Sequence, residues 1–453
     1  MADVAACRKA KDLGYPTNCG RQGSWPAMPA GAQSDYTARR FRTKGLALMT
    51  WGTAPPILNN KAIRETRTLP RFCRNGLLFL LQTFGFILFG PHHDTPIDND
   101  ADVGPRQLMQ HIGLIPRNRL KWVPPHLRVH HEYCFFLHDQ CVHVLAEYEA
   151  AKAHHVTVNF QSKATADEFS RIAADDPIKG LQATGYPAEA RRAAINHITM
   201  AMVSDCLHHI YEGLRCFEKR KVVVAFNLLR KPLKDNLLYL AWMLGDEDDF
   251  YNAFVSGNPE VLTQKMLGNK RLSILTKAVA KTSVSSVIDP ALLNEILFDR
   301  KSAHSLELVF QHAVHLVTDL HIELRTTPQN FNFIFKSYAD DDTYDGAYEW
   351  LPYVLLFLSH IVMSLFDRMH PMDEGARLAH MVRTVFAYAL IENIKDSSIQ
   401  KYLEEALSET LKCTHCGAKA RMTRSNAAMI AVAESFRCTS CRKKNLLPFS
   451  YLF

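Results

Sequence analysis

Residues 350–366 read WLPYVLLFLSHIVMSLF. The run is apolar on nearly every side, and a helix with no polar face must be wrapped by other helices. It falls short of the roughly 20 apolar residues that cross a bilayer, and it carries His360 and Ser364. The stretch therefore predicts the centre of a soluble helical bundle.

Working outward, the same helical period recurs. Upstream, Cys134, Leu137, Cys141, Leu145 and Tyr148 form an apolar stripe within 131–153. Pro187, suited to a first helical turn, opens a long segment that runs to Phe217 and the basic cluster Lys219-Arg220-Lys221. Residues 222–244 continue in helical character, with Pro232 expected to kink or break them. Shorter helices are expected over 259–267, 270–282 and 290–298. A longer one covers 303–320, with Leu306, Phe310, Leu316 and Val317 on its apolar side. Residues 375–411, rich in Ala, Leu, Glu and Lys, supply a last long helix. The fold class is mainly α, with an all-α domain over 105–410.

Residues 1–104 differ in texture. Pro, Gly, Ala and Arg punctuate them and no period survives. They read as a basic leader of low order, and the sequence leaves open whether it belongs to the fold. Inside it, residues 76–90 read GLLFLLQTFGFILFG, apolar but too short to span a bilayer. Membrane anchoring through 77–89 is the minor reading of this run.

The charge is partitioned. Residues 1–130 carry 18 Lys and Arg against 8 Asp and Glu, residues 131–410 carry 27 against 37, and residues 411–453 carry 8 against 1. Two basic ends flank an acidic middle, which suits an anionic partner for the ends.

The C-terminal segment from Cys413 to Cys441 reads CTHCGAKARMTRSNAAMIAVAESFRCTSC. Two Cys-x-x-Cys pairs stand 21 residues apart, a spacing that places two thiolates from each of two tight turns on one ion. Cys413, Cys416, Cys438 and Cys441 are thus predicted to bind one structural zinc in a zinc ribbon over 411–453. Gly417 eases the first turn, and Met429–Arg437 is expected to return to the metal as a strand. His415 is expected to be exposed rather than a ligand. Lys412, Lys419, Arg421, Arg437 and Arg442 offset the net −2 of a four-thiolate zinc shell, and they also suit nucleic acid. Phe436, Phe449, Tyr451 and Phe453 are available to stack on bases or to pack the ribbon, and packing is the expected use. The other seven cysteines (Cys7, Cys19, Cys73, Cys134, Cys141, Cys206 and Cys216) have no framework spacing, which points to a reducing cytoplasm.

Weaker constellations read as packing. His131, Cys134, His138 and Cys141 share one helix face, but a straight helix spreads them over about 15 Å, too far for a single ion. Asp205, His209 and Glu212 share another face without a matching partner helix, and the acidic runs 98–102 and 340–345 lack the spacing of a calcium loop. A Gly-rich phosphate loop, G-x-S-x-G and H-E-x-x-H are all missing, which counts against the familiar enzyme classes.

Residues 211–244, YEGLRCFEKRKVVVAFNLLRKPLKDNLLYLAWML, resemble the core helix pair of HEPN-like helical bundles, a group that includes bacterial proteins of defence systems and mobile elements. Active members carry Arg, four to six residues, then His. The pattern occurs here as Arg106–His111, Arg119–His126, Arg191–His197 and Arg192–His197; the last two fall in the long helix predicted from Pro187, and Arg192–His197 is the one candidate pair. The resemblance implies an RNA-cleaving alternative, but no residue is assigned a catalytic role. The leading expectation is a non-enzymatic binding or regulatory module for nucleic acid or a protein partner.

Overall fold

The computed structural model describes residues 111–302, 305–319, 325–334, 337, 341–392, 398–407 and 411–447. The leader, the apolar run at 76–90, the acidic run at 98–102, Arg106, Phe449, Tyr451 and Phe453 lie outside the described residues.

The predicted central helix spans Asp342–Met369, and 83% of its apolar window is buried inside the protein. It is the one described helix long and apolar enough to cross a membrane, and neighbouring helices cover it instead. Arg128–Ala150 packs along it, and Pro187–Phe217 packs on Arg128–Ala150 and meets the central helix at its own end, where the Tyr344 hydroxyl donates to Phe217 O. Val222–Arg230 folds back onto Pro187–Phe217. The two approach closely because Gly213 has no side chain: a Cβ there would lie 2.8 Å from Cγ of Leu229.

Pro232 does not break its helix. Lys231–Asn236 forms a π-helical turn that carries the chain from Val222–Arg230 straight into Leu237–Gly245. A π turn absorbs the missing donor and the ring without ending the helix. It also turns Lys234 inward, where its ammonium pairs with the buried Glu307.

Helix starts follow local chemistry. Asp176 before Pro177 and Asp289 before Pro290 cap exposed amides with their carboxylates, and Ser162, Thr263, Ser305 and Thr423 do so with hydroxyls. Two expected lengths are corrected. The helix expected over 303–320 is described as Leu306–Val314; Leu316 and Val317 follow it, 60% and 57% exposed. In place of one helix over 375–411 stand Glu374–Ile391 and Ser398–Leu407.

The C-terminal segment is fastened to the bundle. Arg424–Ala433, where a strand was expected from Met429, is a helix packed on Glu374–Ile391. Thr423 caps it and its alanines favour the helical state, so only Ser435–Arg437 remains as strand β1, paired antiparallel with β2, Lys444–Leu446. Each of the two packed helices closes the other's end. Arg383 donates to the carbonyls of Ala431 and Val432, and Arg424 donates to those of Leu390 and Ile391. A guanidinium at a helix C-terminus satisfies orphan carbonyls and complements the dipole. Met429, Ala431 and Val432 join the main core of the bundle.

Candidate metal centre

Two tight turns of matching pattern hold the four cysteines. In the first, Cys413 N–H donates to Ala418 O (2.8 Å) and Gly417 N–H to Cys413 O (2.9 Å). In the second, Cys438 N–H donates to Lys443 O (3.0 Å) and Arg442 N–H to Cys438 O (3.0 Å). The residue after each pair is left-handed, Gly417 at φ 73° and Arg442 at φ 62°. Glycine takes that conformation freely and arginine at a cost of about 1 kcal/mol.

The surroundings lock the turns together. A bridge between Lys412 and Lys419 closes the first, and the β1–β2 hairpin closes the second. Buried Asn445 on β2 accepts from Thr414 N–H (2.9 Å) and Thr414 Oγ1 (3.0 Å), joining one turn to the other. Buried Asn426 bonds Arg437 in both directions and reaches Arg421 O, pinning β1 to the helix start. Neither asparagine was legible as a site residue, since each acts through hydrogen bonds to other turns that only the folded segment brings together.

All four sulfurs lie within 4.8 Å of one another, so the set can hold a metal ion. Cys413 Sγ is 3.5 Å from Cys441 Sγ and Cys416 Sγ is 3.7 Å from Cys438 Sγ, far beyond a disulfide bond. Partial burial raises the Cys413 thiol, but N–H groups of His415 and Cys416 aimed at its sulfur outweigh this and bring it down to about 6. The N–H of Cys441 lowers Cys438 in the same way. Ala418 N–H lowers Cys416 too, yet the crowding sulfurs, Cys438 first, push it up to about 11. A cation among them reverses that preference, because bound thiolates are deprotonated outright.

His415 is exposed and stands outside the sulfur set, and Phe436 is buried in the packing of the segment. Lys412, Lys419, Arg421, Arg437 and Arg442 are all exposed.

The other constellations take structural places, and among the described residues only the four C-terminal cysteines form a metal-ligating group. Cys134, Cys141 and Cys206 are buried thiols whose pKa burial pushes up. His131 meets the Tyr348 hydroxyl on one side and Glu218 on the other, while His138 bonds Asp139. Asp205 accepts from Lys231 and Asn236, tying the Pro187–Phe217 helix to the π turn. Arg191 and Arg192 share Glu247 with Arg368, and His197 is exposed. Arg119 pairs with Glu218 and His126 with Asp345.

One carboxylate without a sequence signal organises the loop beside the cysteine segment. Glu132, fully buried, accepts the successive main-chain N–H groups of Ile112, Gly113, Leu114 and Ile115 at 2.7 to 3.1 Å. Lys444 of β2 reaches Gly113 O at 3.5 Å.

Comparison of the chain with protein families, with curated proteins and with solved structures finds no match.

Proposed function

We propose that the four thiolates hold one zinc ion as a structural centre, and that the chain is a helical binding module whose basic C-terminal segment engages an anionic partner, nucleic acid foremost. The sulfur tetrad carries this reading. A tetrahedron with Zn–S of about 2.3 Å has sulfur edges of about 3.8 Å, and two of the four cross-turn edges are 3.5 and 3.7 Å, with every edge within 4.8 Å. All-sulfur tetrahedral sets select zinc or iron–sulfur centres, and two Cys-x-x-Cys turns closing on one point favour zinc.

When bound, zinc supplies cross-linking and charge neutralisation. Four protein ligands leave no position for a reacting water, so the site is structural. Seen from outside, the segment is strongly cationic, with 8 Lys and Arg against 1 acidic residue over 411–453. The two knuckles thus present fixed positive charge on a rigid frame. The proposal places the protein in the reducing cytoplasm, where thiolates persist as ligands rather than pairing as disulfides.

The test is metal content by elemental analysis of the purified full chain, with the absorbance ratio reporting co-purified nucleic acid. About one zinc per chain is expected, lost in both Cys413→Ser and Cys441→Ser. Stoichiometric zinc in both variants would sink the ligand assignment. Zinc without any affinity for nucleic acid would turn the search to protein partners.

A further inference from the structure

The turn Arg119–Trp122 is fastened to the bundle from both sides. Glu132 holds the main chain just before it, and the Arg119 guanidinium grips Glu218 through Nε (3.1 Å) and Nη2 (2.6 Å). Beyond the end of the Pro187–Phe217 helix, Arg220 donates from Nε to the carbonyl of Trp122 at 3.0 Å. Two stretches remote in sequence, 111–128 and 213–221, are thereby set side by side. Together they hold eight Lys and Arg and a single carboxylate, Glu218.

Glu218 is buried and already engaged by Arg119 and Arg215, and Arg220 pairs with Asp341. Arg117, Lys121, Lys219 and Lys221 are exposed. Among them Trp122 is 54% exposed, with the Lys121 ammonium 4.6 Å from its ring centroid. The positive surface continues into the cysteine segment. There Lys444 reaches the carbonyl of Gly113 at 3.5 Å, in the loop that leads to Arg117, and Arg437 is the cross-strand partner of Lys444.

We propose that this ridge, running from Arg437 and Lys444 through Arg117 and Lys121 to Lys219 and Lys221, binds a single-stranded nucleic acid, with Trp122 stacking on one base. The inference rests on the nucleic-acid reading above and names its surface and its ligand. Exposed cations on adjoining stretches can pair with successive phosphates of a polynucleotide backbone, and an exposed indole among them offers what an unpaired base needs. In a duplex the base faces are already stacked on their neighbours. The aromatic therefore selects the single strand, whichever sugar it carries.

The test is fluorescence anisotropy with the full zinc-loaded chain and oligo-uridine, oligo-thymidine and a duplex of equal length. Both single strands, or one of them, should bind better than the duplex, and the two arms report RNA or DNA preference. Trp122→Ala should weaken single-strand binding about tenfold, while Trp122→Phe, which keeps a stacking ring, should stay near the parent. Lys219→Ala combined with Lys221→Ala should reduce the slope of log affinity against log salt by about 1.4, at about 0.7 per phosphate contact. Nucleic-acid binding that survives both changes at parental affinity, or that prefers the duplex and ignores Trp122, overturns the ridge and leaves the broader reading standing. Failure to bind any of the three removes both.

Discussion

Replacing Glu132 by glutamine tests whether one buried carboxylate sets the position of the 111–122 loop. Oε1 accepts from Gly113, Leu114 and Ile115, and Oε2 accepts from Ile112. A glutamine can present its oxygen to the three donors, but its NH2 then faces the Ile112 N–H, donor against donor. Leaving that amide unpaired costs about 1–3 kcal/mol, and the other bonds fall from charge-assisted to neutral strength, about 1 kcal/mol each at most. Because these terms share one geometry they do not add fully, and the expected loss is about 3 kcal/mol.

A loss of that size need not unfold the protein, because the loop can open by itself at less than the global cost. Hydrogen exchange resolves the two cases. The amides of 112–115 should exchange roughly 100-fold faster in Glu132→Gln, while amides of the buried Asp342–Met369 helix change far less. Urea unfolding followed by circular dichroism then measures what reaches the global equilibrium. Unchanged exchange at 112–115, together with stability within about 0.5 kcal/mol of the parent, would show that the carboxylate does not hold the loop.

Acid should weaken the fold through His380, which is buried with both ring nitrogens unpartnered among the described residues, 4.8 Å from the His360 ring and beside Arg383. Burial first, then Arg383, bring its pKa down to about 3, so the unfolded chain takes up a proton near 6.5 that the folded chain refuses. Stability must then fall as pH drops from 6.5 toward 3, by about 2 kcal/mol at pH 5 from this group. Thermal melts at pH 7 and pH 5 should show the loss, and His380→Phe should shrink it; an equal loss in the variant would refute the assignment. Arg383→Ala should cost about 3 kcal/mol by leaving buried helix-end carbonyls unpaired, with Arg383→Lys recovering less than half for want of the planar fork. An unaltered melting temperature in Arg383→Ala would mean the cap carries no energy.

The elements legible in the sequence are those whose signal is local. Pro187 announced its helix, the apolar run at 350–366 announced the buried centre, and the two Cys-x-x-Cys pairs announced the sulfur tetrad. Pro232 was legible as an interruption but not in its form: a π turn carries the proline without ending the helix and sets Lys234 against Glu307. Residues 429–433 misled because a short apolar run suits helix and strand alike; they continue the helix packed on Glu374–Ile391, and only Ser435–Arg437 is strand. Glu132, Asn426, Asn445 and the paired arginines Arg383 and Arg424 gave no signal at all. Their hydrogen-bond partners sit up to 49 residues away, as between Arg383 and Val432, so only the folded chain shows what they satisfy.

The same long-range contacts argue against a cysteine segment that hangs as an independent tail. Its two strands are three residues each, too little ladder to stand alone in water. One end of its helix is capped from the bundle by Arg383, and Arg424 at the other end caps the bundle in return. An ion bound by the tetrad would stabilise the folded state in proportion to the logarithm of its concentration over its dissociation constant. Because Met429, Ala431 and Val432 lie in the main core, that stabilisation would not stop at the knuckles. It would reach the contact between Lys444 and Gly113, and through it the loop that carries Arg117, Lys121 and Trp122. On the proposed reading, an ion held by the tetrad would govern binding without an open coordination position, by fixing the frame on which the proposed ridge stands.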